Sequence, residues 1–349
     1  MESKKIKTVS FLVIVVLAGV FCVAENSQAG IVFETNFDVS PDWQSEETIA
    51  NNQDWSSTFN KIPAMVLAPF VAYRAPKMPA EGYHQNHYVS SDGCESGKCY
   101  TAWYYCDRDE EWQHGGMNIH LGNPGWDELY FRFRMRFQDD WQWRPNTAIA
   151  GGRETPYSVF HKLFRVIYDV DIENTQLSPS SNEDYPFYAI IDYTGWGTGY
   201  EASYPRLKII PREDRNNVTT DERWIAGTQW YSTFGAPDQD GWHWLEFHVK
   251  LNSNYTVSDG MVEVWYDGDF LGSLNDVLYR GLEENNNAKM THMVIMDNQH
   301  NGWIGGPHEQ WTKIENIVVS TDPIGTAYVV DSGELDMTAP AIPSGLAVS

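Results

Sequence analysis

Basic residues are scarce in this chain of 349 residues, where 24 lysines and arginines stand against 48 aspartates and glutamates. The formal net charge is -24. A surface this acidic repels phosphate backbones and anionic lipid headgroups, which argues against nucleic acid and anionic membrane surfaces as partners. Helical periodicity is also scarce and no internal repeat is found, so the fold has to be inferred from patterns typical of strands.

Cysteine is scarce as well, with four in the whole chain. Cys22 lies in the N-terminal segment, which leaves Cys94, Cys99 and Cys106. Export favours one disulfide with one thiol left over, and the turn-like Glu-Ser-Gly-Lys between Cys94 and Cys99 favours that pair. The alternative is a zinc site from the three cysteines and His114.

The N-terminus has the pattern of a secretory signal. Three lysines within the first seven residues precede the apolar run Phe11–Phe21, which is too short to span a bilayer comfortably. Ser27-Gln28-Ala29 supplies a small-x-small cleavage site, with Cys22-Val23-Ala24 as the competing one. We therefore expect residues 1–29 to be a signal peptide and the protein to be secreted or periplasmic, with no membrane contact after cleavage.

The most informative stretch is residues 127–137, Asp-Glu-Leu-Tyr-Phe-Arg-Phe-Arg-Met-Arg-Phe. Every second residue from Leu129 to Phe137 is apolar, and Arg132, Arg134 and Arg136 alternate with them. Because side chains on a strand alternate between its faces, the pattern predicts one core face and one cationic face. Two interpretations of the arginines stay open: ion pairs with acidic residues on neighbouring strands, or a groove floor that grips carboxylates or sulfates.

Strand-like alternation recurs along the chain. The runs are Ile31–Phe37, Met117–Leu121, Leu129–Phe137, Ser158–Val170, Phe187–Tyr193, Leu207–Ile210, Trp244–Leu251, Met261–Tyr266, Met290–Met296 and Ile314–Ser320. Residues 39–116 are expected to be irregular, and 171–185 and 212–223 to be polar loops. About ten strands without helices predict an all-β fold, a two-sheet antiparallel β-sandwich of the jelly-roll type. The 15 Trp and 19 Tyr suit such a core and also suit stacking on sugars.

Residues 30–330 are expected to form this domain. From residue 331 the composition changes, and Asp336–Ser349 resembles the opening of a fibronectin type III domain, with a Pro-rich lead followed by Pro-Ser-Gly-Leu. The predicted third segment, 331–349, is therefore a linker and a first strand of such a domain.

Several segments together resemble secreted polysaccharide-lyase-like jelly rolls of the concanavalin A-like lectin and glucanase superfamily. Tyr130–Phe137 followed by Trp141 and Trp143, the strand His161–Arg165, the hairpin motifs in Gly241–Gly268 and the final strand Ile314–Thr321 carry the resemblance, which spans about residues 125–325. It implies a concave sheet that binds polysaccharide. Members act on alginate, glucuronans and heparin-like chains, so the resemblance does not fix the substrate.

Cleavage of a uronate chain by β-elimination needs a cation on the sugar carboxylate, a base for the adjacent proton and an acid for the leaving oxygen. The predicted catalytic residues are His161, Lys162, Tyr188 and His248. The predicted substrate-binding residues are Arg132, Arg134, Arg136, Arg165, Trp244, Glu246 and Lys250. By strict alternation, Lys162 would face opposite to His161 and Arg165.

The predicted function is thus a secreted protein that binds an anionic polysaccharide, with lyase activity preferred. One alternative is a lectin-like module without catalysis. Another is a glycoside hydrolase, because Asp169-Val-Asp-Ile-Glu173 resembles the catalytic strand of laminarinase-like enzymes, which share the fold and use paired carboxylates.

No cofactor is required by this chemistry. A structural calcium ion is a further expectation, because the superfamily often carries one near its termini, and Glu34, Asp38 and Glu315 offer hard oxygen ligands. The oligomeric state is left open.

Overall fold

The computed structural model describes residues 30–38, 42–44, 71–73, 87–107, 113–114, 117–121, 125–143, 160–168, 187–192, 206–211, 241–281, 283, 286–296, 298–300 and 305–330. These residues form seventeen strands and no α-helix. No described segment is a helix of the length and apolarity needed to cross a membrane. The predicted signal peptide, the acidic strand Asp169–Glu173 and the fibronectin-like tail lie outside the described residues.

The strands form two antiparallel sheets, which confirms the predicted all-β two-sheet jelly roll. The nine-stranded sheet contains β1 (Ile31–Thr35), β2 (Trp43–Gln44), β4 (His87–Ser90), β5 (Cys99–Tyr105), β8 (Glu128–Phe137), β12 (His243–Lys250), β13 (Gly260–Tyr266), β14 (Asp269–Val277) and β17 (Glu309–Ser320). The eight-stranded sheet contains β3 (Val71–Tyr73), β6 (Gln113–His114), β7 (Met117–His120), β9 (Phe160–Tyr168), β10 (Phe187–Asp192), β11 (Arg206–Pro211), β15 (Met290–Ile295) and β16 (Asn298–His300).

Strand order explains how distant segments meet. In the nine-stranded sheet the order is β14-β13-β12-β8-β17-β5-β4-β2, with β1 also paired to β17. In the eight-stranded sheet it is β11-β10-β9-β15-β7-β3, and β16 bridges β9 and β6. The last strand, β17, therefore lies near the centre of its sheet.

The core lies between the two sheets and is built by the alternation seen in the sequence. Leu129, Phe131, Phe133, Met135 and Phe137 on β8 are all buried, as predicted. From the opposite sheet, the ring of Phe164 on β9 lies 4.9 Å from that of Phe131 and 5.0 Å from that of Phe247 on β12. This close aromatic packing joins the centres of the two sheets.

All ten predicted strands are present, with ends shifted by a few residues. The expectation that residues 39–116 are irregular is wrong for part of that range. β4 and β5 form an antiparallel pair there, and β5 also pairs with β17. Their Tyr-rich sequences pack against the core, and this tertiary contact cannot be inferred from local sequence patterns.

Cys94 and Cys99 form a disulfide, which confirms the predicted pair. The third cysteine, Cys106, is a buried thiol, and the side-chain amide of Gln310 donates to its sulfur over 3.1 Å. The alternative, a zinc site from the three cysteines and His114, is contradicted, because the disulfide uses Cys94 and Cys99.

The segment 321–330, called here the C-terminal strap, follows β17 and lies against the outer face of the nine-stranded sheet. Ile324 and Val330 are buried with Val318, and Ile31 and Tyr130 pack against them. The hydroxyl of Tyr328 donates to the Glu34 carboxylate over 2.5 Å. The strap therefore closes over the polar side of the arginine-bearing strand β8.

Candidate functional site

A β-bulge at Leu163 decides which side chains of β9 share a face. Phe164 pairs with Ala189 of β10, but the next pair is Lys162 with Ile190, so Leu163 is the extra residue. The bulge returns Lys162 to the face that holds Arg165 and puts His161 on the face that holds Phe164. The parity prediction for these three residues is therefore wrong, because strict alternation does not allow for an inserted residue.

His161 consequently lies in the core. It is fully buried, and its ring centre lies 5.1 Å from that of Tyr104, 5.8 Å from that of Phe137 and 6.0 Å from that of Trp141. Its Nε2 lies 3.1 Å from the sulfur of Met296. These contacts place His161 between the sheets, on the opposite side of β9 from Lys162 and Arg165.

The outer face of the eight-stranded sheet gathers several chemically active residue types. Arg165 pairs with Tyr188 on β10 and with Val294 on β15. Two positions along β15, His292 pairs with His120 on β7. Because strands lie about 4.8 Å apart and alternate residues about 7 Å apart, the backbones of Tyr188, Lys162 and His292 lie within about 10 Å of Arg165.

The strand register puts further polar and cationic residues on the same face. Val294 pairs with Asn118, and Ile190, the partner of Lys162, pairs with Lys208 on β11. Positive charge is thus concentrated here on a chain whose net charge is -24. Such a face attracts an anionic ligand that the rest of the protein repels.

Burial differs among the described side chains of this face. Arg165 is 4% exposed and His292 is 1% exposed, whereas Lys162 is partly exposed. His292 Nδ1 lies 3.0 Å from the hydroxyl of Thr291. An anion that reached Arg165 would meet it away from bulk water, where charge–charge attraction is strengthened.

The predicted residues therefore divide between two sheets. Lys162, Arg165 and Tyr188 come together on the eight-stranded sheet, whereas His248, Trp244, Glu246, Lys250 and the arginine row lie on the nine-stranded sheet. His292, His120 and Asn118 were missed. Their signal was present in the sequence, because each occupies the alternate position of an otherwise apolar strand, in Met-Asn-Ile-His and Thr-His-Met-Val-Ile.

On the nine-stranded sheet, Arg132 is held by the strap. It is 2% exposed and donates from Nη1 to the carbonyl oxygens of Gly325 at 2.6 Å and Tyr328 at 2.9 Å. Its guanidinium carbon lies 3.8 Å from the ring centre of Trp244, and Glu246 accepts from the Gly325 amide over 3.5 Å. Burial lowers the pKa of Arg132 and raises that of Glu246.

The other two arginines have acidic partners. Arg134 contacts Glu315 on the neighbouring strand β17 at 3.1 Å, and Glu95 of the disulfide loop. Arg136 contacts Asp139 at 2.5 Å, and its guanidinium carbon lies 5.9 Å from the ring centre of Trp311. The interpretation of the row as pairing across strands is confirmed for Arg134.

His248 lies between two carboxylates on the same outer face. Its Nδ1 is 2.8 Å from Glu263 and its Nε2 is 2.9 Å from Glu128. Its ring stacks on that of Tyr130 with centres 4.0 Å apart. Lys250 lies 3.4 Å from Glu128. His248 is 3% exposed. Its contacts with Glu128 and Glu263 link its own strand, β12, to β8 and β13.

The three acids expected to bind calcium have separate contacts. Glu34 accepts from Tyr328, Asp38 accepts from the backbone amide of Lys98 at 2.8 Å, and Glu315 pairs with Arg134. Within the described parts of the chain, no three His, Cys, Asp or Glu side chains converge as they would around a metal ion.

No known family profile and no curated protein matches the chain. Among solved structures, it is similar to the endo-β-1,4-glucuronan lyase of the fungus Trichoderma reesei, with a TM-score of 0.42, 12% identity, and coverage of 72% of this chain and 94% of that one. It is also similar to the alginate lyase of Aplysia kurodai, with a TM-score of 0.42, 14% identity, and coverage of 68% and 87%.

A third similar structure is the catalytic domain of a glycoside hydrolase family 131 protein from Coprinopsis cinerea, with a TM-score of 0.42, 10% identity, and coverage of 89% and 100%. All three TM-scores lie below 0.5.

Proposed function

We propose that this chain binds an anionic polysaccharide along the outer face of the eight-stranded sheet and cleaves it by β-elimination. The single observation that supports this most is the register that pairs Arg165 with Tyr188 and puts His292 one strand away, on a face to which the bulge at Leu163 also adds Lys162. A cation for the carboxylate, a base and an acid are the three groups that the reaction needs.

Arg165 is assigned to the sugar carboxylate. Its planar guanidinium forms two parallel hydrogen bonds with a carboxylate. Withdrawal of charge from the carboxylate makes the proton on the neighbouring carbon acidic, and the burial of Arg165 strengthens that effect.

His292 is assigned as the base and Tyr188 as the acid. The base takes the proton from the carbon next to the carboxylate. The electron pair of that bond forms a carbon–carbon double bond as the bond to the leaving oxygen breaks. The leaving oxygen then takes the proton of Tyr188, and the products are a new non-reducing end that is unsaturated and a new reducing end.

The test is incubation of the mature chain with a panel of uronate polysaccharides while ultraviolet absorbance is recorded. New absorbance that is lost in Arg165→Ala and Tyr188→Phe, and kept in Arg136→Ala on the other sheet, is the expected result. No absorbance with any uronate polymer, or full activity in Arg165→Ala, would overturn the proposal.

A second candidate function is a lectin-like module that binds the same polymer without cleaving it. The low exposure of His292 favours it, because a base has to approach the proton that it removes. Binding that depends on Arg165 without new absorbance or new reducing ends would support this candidate. New reducing ends without absorbance would instead support hydrolysis.

A further inference from the structure

Two aromatic rings form a corner at the edge of the nine-stranded sheet, away from the site proposed above. Trp265 on β13 pairs directly with Phe270 on β14, and the ring centres are 5.5 Å apart with planes inclined by 55°. Phe270 is 56% exposed, and among the described residues it is one of three large hydrophobic side chains that face solvent. Trp265 is partly exposed.

Carboxylates border this corner. Glu246 is the partner of Trp265 on β12, and Glu263 occupies the same face of β13 two positions away. The hairpin 260–277 contains four acidic residues, Glu263, Asp267, Asp269 and Asp276, and no lysine or arginine. Glu246 also accepts from the Gly325 amide, and Glu263 contacts His248. The corner therefore combines flat apolar surfaces with carboxylate acceptors, and its own hairpin contains no lysine or arginine.

This electrostatic character limits what can occupy the corner. A polyuronate would meet carboxylates of its own sign. A second copy of the chain carries the same net charge of -24, and β14, which ends the sheet, bears Asp269 and Asp276, charges that oppose strand pairing between copies. An uncharged sugar has no such repulsion: its carbon–hydrogen face packs on an aromatic ring, and its hydroxyls donate to carboxylates.

We propose that Trp265 and Phe270 form a binding site for an uncharged polysaccharide, on the opposite side of the sandwich from the proposed cleavage site. Because the two rings are in contact and inclined, their exposed surfaces form one continuous apolar platform, and a sugar unit packs on that platform with its carbon–hydrogen face. The protein would thus hold a neutral glycan on one sheet and an anionic glycan on the other.

The test is affinity electrophoresis of the mature chain in native gels that contain hydroxyethylcellulose, xyloglucan, galactomannan, alginate or no polymer. We expect retardation by at least one of the three neutral polymers. Trp265→Ala and Phe270→Ala should each weaken that retardation on the order of tenfold, the upper end for one aromatic contact. The matched control is Val257→Ala, which removes another exposed apolar side chain, 40% exposed, from the β12–β13 loop.

Three results would overturn the proposal: no retardation by any neutral polymer, equal retardation of the parent and both aromatic variants, or a concentration-dependent dimer in gel filtration that Phe270→Ala abolishes. Circular dichroism of each variant confirms that it is folded. Ultraviolet activity on uronate polymers should be unchanged in Trp265→Ala. The two proposals can therefore fail separately, since loss of activity in Arg165→Ala concerns only the other face.

Discussion

Arg132 lies over the indole of Trp244, with its guanidinium carbon 3.8 Å from the ring centre, and it also donates to the C-terminal strap. Both residues were predicted to bind substrate. In the structure, the guanidinium donates to two backbone carbonyls of residues nearly two hundred positions away.

Replacement of Arg132 by Ala should therefore lower the free energy of unfolding by about 3 kcal/mol, because two charge-assisted hydrogen bonds and a stacking contact are lost in a buried place. Denaturant unfolding measures this. Arg136→Ala is the matched control, since its partner Asp139 is exposed, and it should cost less than about 1 kcal/mol. Equal effects in the two variants would contradict the role given to the strap.

Substitutions of the neighbours His161 and Lys162 should have different effects, one on stability and the other on binding. His161→Ala opens a cavity among Tyr104, Phe137 and Trp141 and should cost about 3 kcal/mol of stability. Lys162→Ala should change stability by less than about 1 kcal/mol. It should weaken binding of an anionic polymer, and the binding of the parent should fall with added salt. A large loss of stability in Lys162→Ala would refute the placement of the bulge.

Glu315 should give the protein a distinctive pH dependence. Burial, opposed by Arg134, raises the pKa of this carboxyl from 4.5 to about 7. In the unfolded chain the group loses its proton near pH 4.5, so between pH 4.5 and 7 the folded state holds a proton that the unfolded state has released. Stability from this group therefore falls as the pH rises through that window.

Glu315→Gln removes this ionisation and keeps an oxygen acceptor for Arg134. We subtract the unfolding free energy of the parent from that of the variant at each pH. This difference should be roughly 2 to 3 kcal/mol more positive at pH 8 than at pH 5. Chemical denaturation at the two pH values measures it. Asp269→Asn changes the same kind of group on the exposed strand β14 and should show no comparable growth. A difference that stays flat with pH would rule out a raised pKa at Glu315.

The disulfide loop is expected to stabilise the protein in two ways, by constraining the unfolded chain and by holding contacts in the folded state. The double variant Cys94→Ser with Cys99→Ser should lose about 2 kcal/mol of stability, as a short closed loop predicts. The loop also holds Glu95 against Arg134. Trypsin cleaves after Lys98, between the two cysteines, so mass spectrometry of the unreduced protein should find two peptides joined. Their recovery as separate peptides would mean that the bond is absent.

Much of the fold follows from local alternation. Leu129 to Phe137 specify a strand with one apolar face, and the pairing of Arg134 with an acid on a neighbouring strand was one of two interpretations open from the sequence. Residues of β4 and β5 gave no such signal, because their Tyr-rich sequences become strands through pairing with distant partners such as β17.

The candidate site was predictable only in part. Lys162, Arg165 and Tyr188 were identified from residue type. Arg165 and Tyr188 pair directly, but the presence of Lys162 on their face depends on the extra residue Leu163, and a bulge is set by register against partner strands rather than by local composition. The strap over Arg132 could not be predicted for a similar reason. Every residue has a backbone carbonyl, so the sequence does not indicate which carbonyl oxygens accept from a given guanidinium.

The two ends of the described sandwich meet on one side of the molecule. Gly30 donates its amide to Asp322 over 2.9 Å and accepts from Thr321 over 3.0 Å, and Val330 is buried beside Ile31. A tether attached at residue 30 or at residue 330 would therefore leave the molecule from the side of the nine-stranded sheet. The face with Lys162 and Arg165 belongs to the other sheet, so such an attachment would leave it unobstructed.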